Sequence, residues 1–130
     1  MAKTEEKTDA GNTKDAHHVV IELVSGDPKE WEKLMNNSEN LIKAFGDDTT
    51  EIEIVSHGEG LRMLMKSTAE KPEERMQKLA DQGVVFAACQ NTMKRMNVTA
   101  GDLVKFAKPV VSGVAEVVRK QESRWSYISR

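Results

Sequence analysis

The chain has 130 residues, 38% hydrophobic and 31% charged, with 19 basic against 21 acidic side chains and a net charge of −2 at pH 7, which is the size and make-up of one soluble globular domain. No dense Lys/Arg cluster or aromatic-laced basic stripe stands out, so capture of nucleic acid or an anionic membrane surface is not expected, and no apolar run approaches the roughly 20 residues a membrane helix needs. The first residues lack the apolar stretch of a secretory signal, and one cysteine can form neither an intrachain disulfide nor a thiolate metal cluster, so the expected location is the cytoplasm.

Residues 1 to about 16 are almost wholly polar and offer nothing to bury, so they are expected to form a mobile tail ahead of a single domain over 17–130. His18 to Val24 is β-branched and mostly apolar on both faces, the pattern of a strand covered by helices on each side. At Ser25-Gly26-Asp27-Pro28 the strand gives way to a helix. Asp27 is placed to cap it, Pro28 suits its first position, and Trp31, Leu34, Met35, Leu41, Ile42 and Phe45 follow at helical spacing until Gly46. Glu51 to Val55 alternates polar with apolar, which predicts a strand nearer the sheet edge, ending at Ser56-His57-Gly58-Glu59-Gly60. A short helix with Leu61, Leu64 and Met65 should follow, then another opening at Pro72-Glu73-Glu74, with Met76, Leu79 and Ala80 inward and Gly83 at its end.

Val84 to Ala88 is a second fully apolar strand, and it delivers Cys89 into Gln90-Asn91-Thr92, where a helix carrying Met93 and Met96 begins. Thr99 and Asp102 have capping-box spacing, Pro109 to Val111 reads as a brief strand, and Val114, Val117, Val118 and Gln121 trace a last helix starting at Ser112-Gly113. Trp125 to Ile128 is a closing strand. Strands alternating with helices predict right-handed crossovers and a mainly parallel, doubly wound α/β sheet.

In such a sheet ligands bind outside the carboxyl ends of the strands where the order reverses, expected here between the first and third strands. Those ends offer Ser25-Gly26-Asp27 and Cys89-Gln90-Asn91, with His57-Gly58 and Ser112-Gly113 as neighbours. Cys89 is the sharpest candidate, because the positive end of a helix lowers a thiol pKa and a thiolate attacks sulfane sulfur or a disulfide. The competing reading is a small buried side chain that continues the strand. His57 can act as a base or proton donor, or make one structural hydrogen bond. Asp27 and Ser112 read as helix caps. The loop His57-Gly58-Glu59-Gly60 lacks the lysine of a phosphate-binding loop and the third glycine of a dinucleotide fingerprint, so no nucleotide cofactor is implied. The adjacent His17 and His18 and the seven methionines do not read as metal sites.

From about His18 to Ile128 the sequence resembles the DsrE/DsrF-like family of sulfur-relay and intracellular sulfur-oxidation proteins. The likeness is carried by Val20-Ile21-Glu22-Leu23 through Gly26-Asp27 and Trp31, by Ile54 to Leu61, by Gly83 to Thr92, by Ser112 to Glu116 and by Gln121 to Ile128. The resemblance implies a five-stranded flavodoxin-like three-layer α/β/α sandwich, assembly into homotrimers or homohexamers, and a cysteine at this strand end that accepts persulfide sulfur and passes it on. Cys89 occupies that position, although Gln90-Asn91-Thr92 differs from the small apolar residues that follow the cysteine in relay subunits. The leading expectation is a persulfide carrier that needs no cofactor: Cys89 and His57 carry the chemistry, Gly26, Gly58, Asn91 and Ser112 line the pocket, and the partners are sulfur donor and acceptor proteins or small polysulfides. The alternatives are a binding module of the same fold with a structural Cys89, and a redox sensor.

Overall fold

A computed structural model describes residues 16–130, so the expected tail lies, but for Ala16, outside the described residues. The β-branched runs form five strands: β1 (His17–Leu23), β2 (Thr50–Ser56), β3 (Val85–Cys89), β4 (Ala107–Val110) and β5 (Ser126–Ser129). Between them lie the helices α1 (Pro28–Phe45), α2 (Glu73–Asp81), α3 (Gln90–Met96) and α4 (Gly113–Glu122), and the segment expected as a short helix is the 3₁₀ stretch Gly58–Leu64. The cap chemistry read from the sequence is present: Asp27 Oδ1 accepts the Lys29 N–H at 3.0 Å, and Gly46, at φ +98°, ends α1 by donating its N–H to the Ile42 carbonyl at 2.7 Å.

Every strand pairing is parallel, and the order across the sheet is β4-β3-β2-β1-β5. With helices on both faces this is the flavodoxin-like three-layer α/β/α class. Two expectations are corrected. β2 is the middle strand and not an edge strand; its alternation arises because Glu53 meets polar partners on one face of the sheet. β2 also separates β1 from β3, so the order reverses between β1 and β5, where the crossover through α4 returns past the first strand.

The two faces are unequal. Val19, Ile21, Leu23, Ile52, Ile54, Phe86 and Ala88 point to one side, where Trp31, Leu34 and Met35 of α1, Met76 and Leu79 of α2, Met93 of α3 and the 3₁₀ residues Leu61, Met63 and Leu64 close over them. Each such buried side chain contributes about 1.5–3 kcal/mol, so this face holds most of the stability. On the other face Val20, Val55 and Ala87 meet Val117 of α4, with Val110 and Trp125 at the margins. His17 and His18 point to opposite faces, as strand alternation requires, His17 stacking on Phe45 and His18 lying near Trp125.

Glu53 lies under α4, only 6% exposed, with Lys120 Nζ 3.3 Å away; that ammonium is 3.9 Å from Glu116 and 4.5 Å above the Trp125 ring. Burial, reinforced by the hydrogen bond and the like charge of Glu116, pushes the Glu53 carboxyl up to about 7, while the hydrogen bond from Glu53 holds Glu116 below its ordinary value. Between the ordinary carboxylate value of 4.5 and 7 the folded state thus keeps a proton that the unfolded chain releases, and stability falls as pH rises through that window. Glu53→Gln retains a hydrogen-bond donor toward Glu116 but cannot ionise. Thermal unfolding followed from about pH 5 to pH 8 should show a smaller decline in Tm for the variant than for the wild type, with the variant a few degrees higher at the alkaline end.

Candidate functional site

Cys89 is both the last residue of β3 and the N-cap of α3. It follows Ala87 by two residues and therefore faces α4. Its Sγ accepts the Thr92 N–H of α3 at 3.5 Å and the Gly113 N–H, the first of α4, at 3.2 Å, so the starts of two helices converge on one sulfur. Burial alone raises the thiol pKa, but hydrogen bonds from the Thr92 hydroxyl and from the N–H groups of Gly113, Thr92 and Asn91 outweigh it and bring the thiol below the ordinary cysteine value. Cys89 is only 5% exposed.

The approach of α4 depends on Gly113 having no side chain. A Cβ there would lie 3.2 Å from the Cys89 Cβ, 3.1 Å from the His57 Cβ and 3.3 Å from the His57 Cδ2. The same measurement puts both His57 and Cys89 against the first turn of α4. His57 directly follows β2 and is anchored by its N–H to the Leu23 carbonyl at 3.1 Å. Its Nε2 lies 2.6 Å from Glu22 Oε2, and the other oxygen of Glu22 accepts the Tyr127 hydroxyl. Burial tends to raise the Glu22 pKa, and the hydrogen bonds of Tyr127 and His57 more than reverse it, so Glu22 stays a carboxylate.

The predicted site residues divide. Gly58, at φ +57°, donates its N–H to Thr92 Oγ1 at 3.0 Å and so ties the His57 loop to the first turn of α3; the left-handed backbone accounts for glycine here. Asn91 is exposed in that turn beside Cys89. Ser112 Oγ accepts the Ala115 N–H at 3.1 Å as the cap of α4, so its neighbour Gly113, not its own hydroxyl, makes the contact with sulfur. Gly26 stands apart, packed on Glu59 and Arg62 and lining a cleft of about 560 Å³ with Pro28, Trp31 and Thr68 on the α1 side. Glu22 and Tyr127 were not among the candidates. One hint of Glu22 was present, a lone charge inside the apolar run Val-Val-Ile-Glu-Leu-Val.

A parallel α/β sandwich presenting one thiol at a strand end, under the N-termini of two helices, defines a class of small thiol-bearing domains. The chain belongs to the DsrE/DsrF-like family, whose profile matches residues 15–129. It is similar in structure to the protein of unknown function MTH1491 from Methanobacterium thermoautotrophicum, with 29% sequence identity, 88% of this chain and 99% of the other covered and a TM-score of 0.81. The ychN protein from E. coli shares the fold at 10% identity, with the same shares covered and a TM-score of 0.63. No curated protein matches the chain. Among the described residues no helix is long and apolar enough to cross a membrane.

The geometry around Gly113 yields an expected outcome. In Gly113→Ala the first turn of α4 must shift outward by a few tenths of an ångström, which lengthens the N–H···S bond and weakens its hold on the thiolate. The pH midpoint of Cys89 alkylation, followed by intact mass, should lie below the ordinary cysteine value in the wild type and move upward in the variant.

Proposed function

We propose that this protein is a cytoplasmic sulfur carrier that holds sulfane sulfur as a persulfide on Cys89. The observation that supports this reading most strongly is the pair of helix N-termini aimed at the Cys89 sulfur: they stabilise the thiolate that attacks, and they stabilise it again as the leaving group when sulfur is passed on. In the loading step the Cys89 thiolate attacks the outer sulfur of a persulfide R–S–SH, an S–S bond forms on Sγ, and R–S⁻ departs. In the unloading step an acceptor thiolate attacks the outer sulfur and Cys89 leaves as thiolate. Both steps are thiol exchanges, which call for no cofactor. His57 and Cys89 both pack against Gly113, Gly58 and Asn91 lie at the first turn of α3 and Ser112 at the start of α4, so these are the residues proposed to meet donor and acceptor. Gly26 opens on the far side of the sheet and has no part in this site.

The 5% exposure of Cys89 favours a second reading, a binding module in which the thiol is packing and the pocket recognises a ligand. Intact-mass measurement after incubation with a polysulfide, with and without reductant, separates the two. The carrier gains one or more sulfur atoms that reductant removes, and Cys89→Ser gains none. A folded, reduced wild type that gains nothing selects the binding module.

We also propose that the carrier is a homo-oligomer, a trimer or hexamer. Val111, Val114 and Val118 are 72%, 58% and 47% exposed at the start and along the outer side of α4, on the face of the sheet that a single helix covers. Sedimentation should show an assembly at micromolar concentration, whereas a clean monomer removes this proposal.

A further inference from the structure

The thiol and the buried carboxyl of Glu53 lie under the same helix. Over Cys89 the first turn of α4 is packed closely: Gly113 is buried, its N–H meets the sulfur at 3.2 Å, and a Cβ there would lie 3.2 Å from the Cys89 Cβ. What seats α4 on the sheet therefore also covers the thiol. Apolar packing supplies only part of that seating. Of the residues of α4, Gly113 and Val117 are buried, Val117 against Val20, Val55 and Ala87, whereas Val114 and Val118 face outward. An element with so little buried apolar contact opens locally at lower cost than the face closed by α1.

The rest of the seating is a polar cluster. Glu53 rises from the middle strand into the interface, with side-chain exposure of 7%, and α4 lowers Glu116 and Lys120 onto it at 14% and 28%. The Lys120 ammonium lies 3.3 Å from Glu53 and 3.9 Å from Glu116, whose other oxygen meets Arg119 at 3.2 Å. The neighbours of Glu53 in the sheet are uncharged, Val20 on β1 and Val85 on β3. Further along the same face, Glu51 is paired with His18 and Glu22 with His57 and Tyr127. One ammonium is thus shared by two carboxyl groups, one on the sheet and one on the helix. With a proton between them they join the two layers; without it two negative charges oppose each other across the interface.

We propose that α4 is a proton-gated cover: the proton shared by Glu53 and Glu116 keeps the helix seated over Cys89, and its loss lets the first turn lift and admits partners to the sulfur. The direction follows from linkage. The Glu53 carboxyl, at about 7 when α4 is seated, returns toward its ordinary value of 4.5 when α4 lifts, so opening grows as pH rises between those values and levels off above them. Rising pH also ionises the thiol, and the two effects reinforce each other. The gate controls access to the site described above and rests on the reading of Cys89 as its working group, whatever a partner delivers.

The test follows iodoacetamide alkylation of Cys89 by intact mass in the whole chain, from about pH 5 to pH 8.5, in the wild type, Glu53→Gln and Glu116→Gln. Dividing each rate by that of Glu53→Gln at the same pH removes the thiolate fraction, and ultraviolet absorbance of the thiolate checks that the proteins share one thiol midpoint. The wild-type ratio should be near one at the acid end, climb about tenfold by pH 7.5 and then level off. Glu116→Gln leaves Lys120 to a single carboxylate, so its ratio should climb less and level off at lower pH. A wild-type ratio that is constant with pH overturns the gate, as does a Glu116→Gln profile equal to that of the wild type. A climb that matches the global unfolding equilibrium, measured in urea at the same pH values, places the proton in general stability and also overturns it. Should Glu53→Gln unfold, the comparison of the wild type with Glu116→Gln decides, because only the gate moves the pH at which the rate levels off. Sulfur gain from sodium tetrasulfide is measured alongside: the expected alkylation profile without any sulfur gain upholds the gate and overturns the carrier reading.

Discussion

The N–H of Gly113 lies within hydrogen-bonding distance of the Cys89 sulfur, and between α4, the end of β3 and the His57 loop a β-carbon would be tightly crowded, 3.1 to 3.3 Å from its neighbours. That contact sets the line along which α4 starts. The helix then crosses back over the sheet and places β5 beside β1. The same contact supplies part of the electrostatic support that offsets the burial of the thiol. Fold and chemistry thus share one constraint, and it lies in a residue with no side chain.

The sheet divides its labour between its faces. The side closed by α1, α2, α3 and the 3₁₀ stretch is mostly apolar and carries most of the burial that offsets chain entropy. The side under α4 carries Glu22, Glu53, His57 and Cys89 among a few small apolar residues. A single helix shields these groups, and titratable side chains survive there because each finds a partner: Lys120 and Glu116 for Glu53, Tyr127 and His57 for Glu22. The thiol and the titratable groups occupy the face on which stability depends less.

Much of this was legible in the sequence for local reasons. Apolar β-branched runs ended by glycine or a capping residue placed the strands and helices within a residue or two, and the passage from Ala88 through Cys89 into Gln90 marked a thiol at a helix start. Strand order was not legible, because alternation in β2 records which groups α4 lays over it and not how many strands flank it. Glu22 escaped for a related reason. Its partners are 35 and 105 residues away in the chain, and no local pattern announces a bond of that span. The Ser112-Gly113 turn was placed correctly, yet the donor proved to be the backbone of the glycine, which only the approach of α4 could reveal.

The neighbourhood of the thiol is drawn from the ends of all five strands, and the last to be made is β5. During synthesis β1, β2 and β3 can pair and bury their shared face before residues 126–129 emerge, but until that strand docks against β1, Glu22 has no tyrosine and the imidazole it holds is less firmly set. An unfinished chain carries the cysteine without its full surroundings. The order in which a parallel sheet is threaded therefore decides when the surroundings of the thiol are complete: only after the final strand of the described domain is in place.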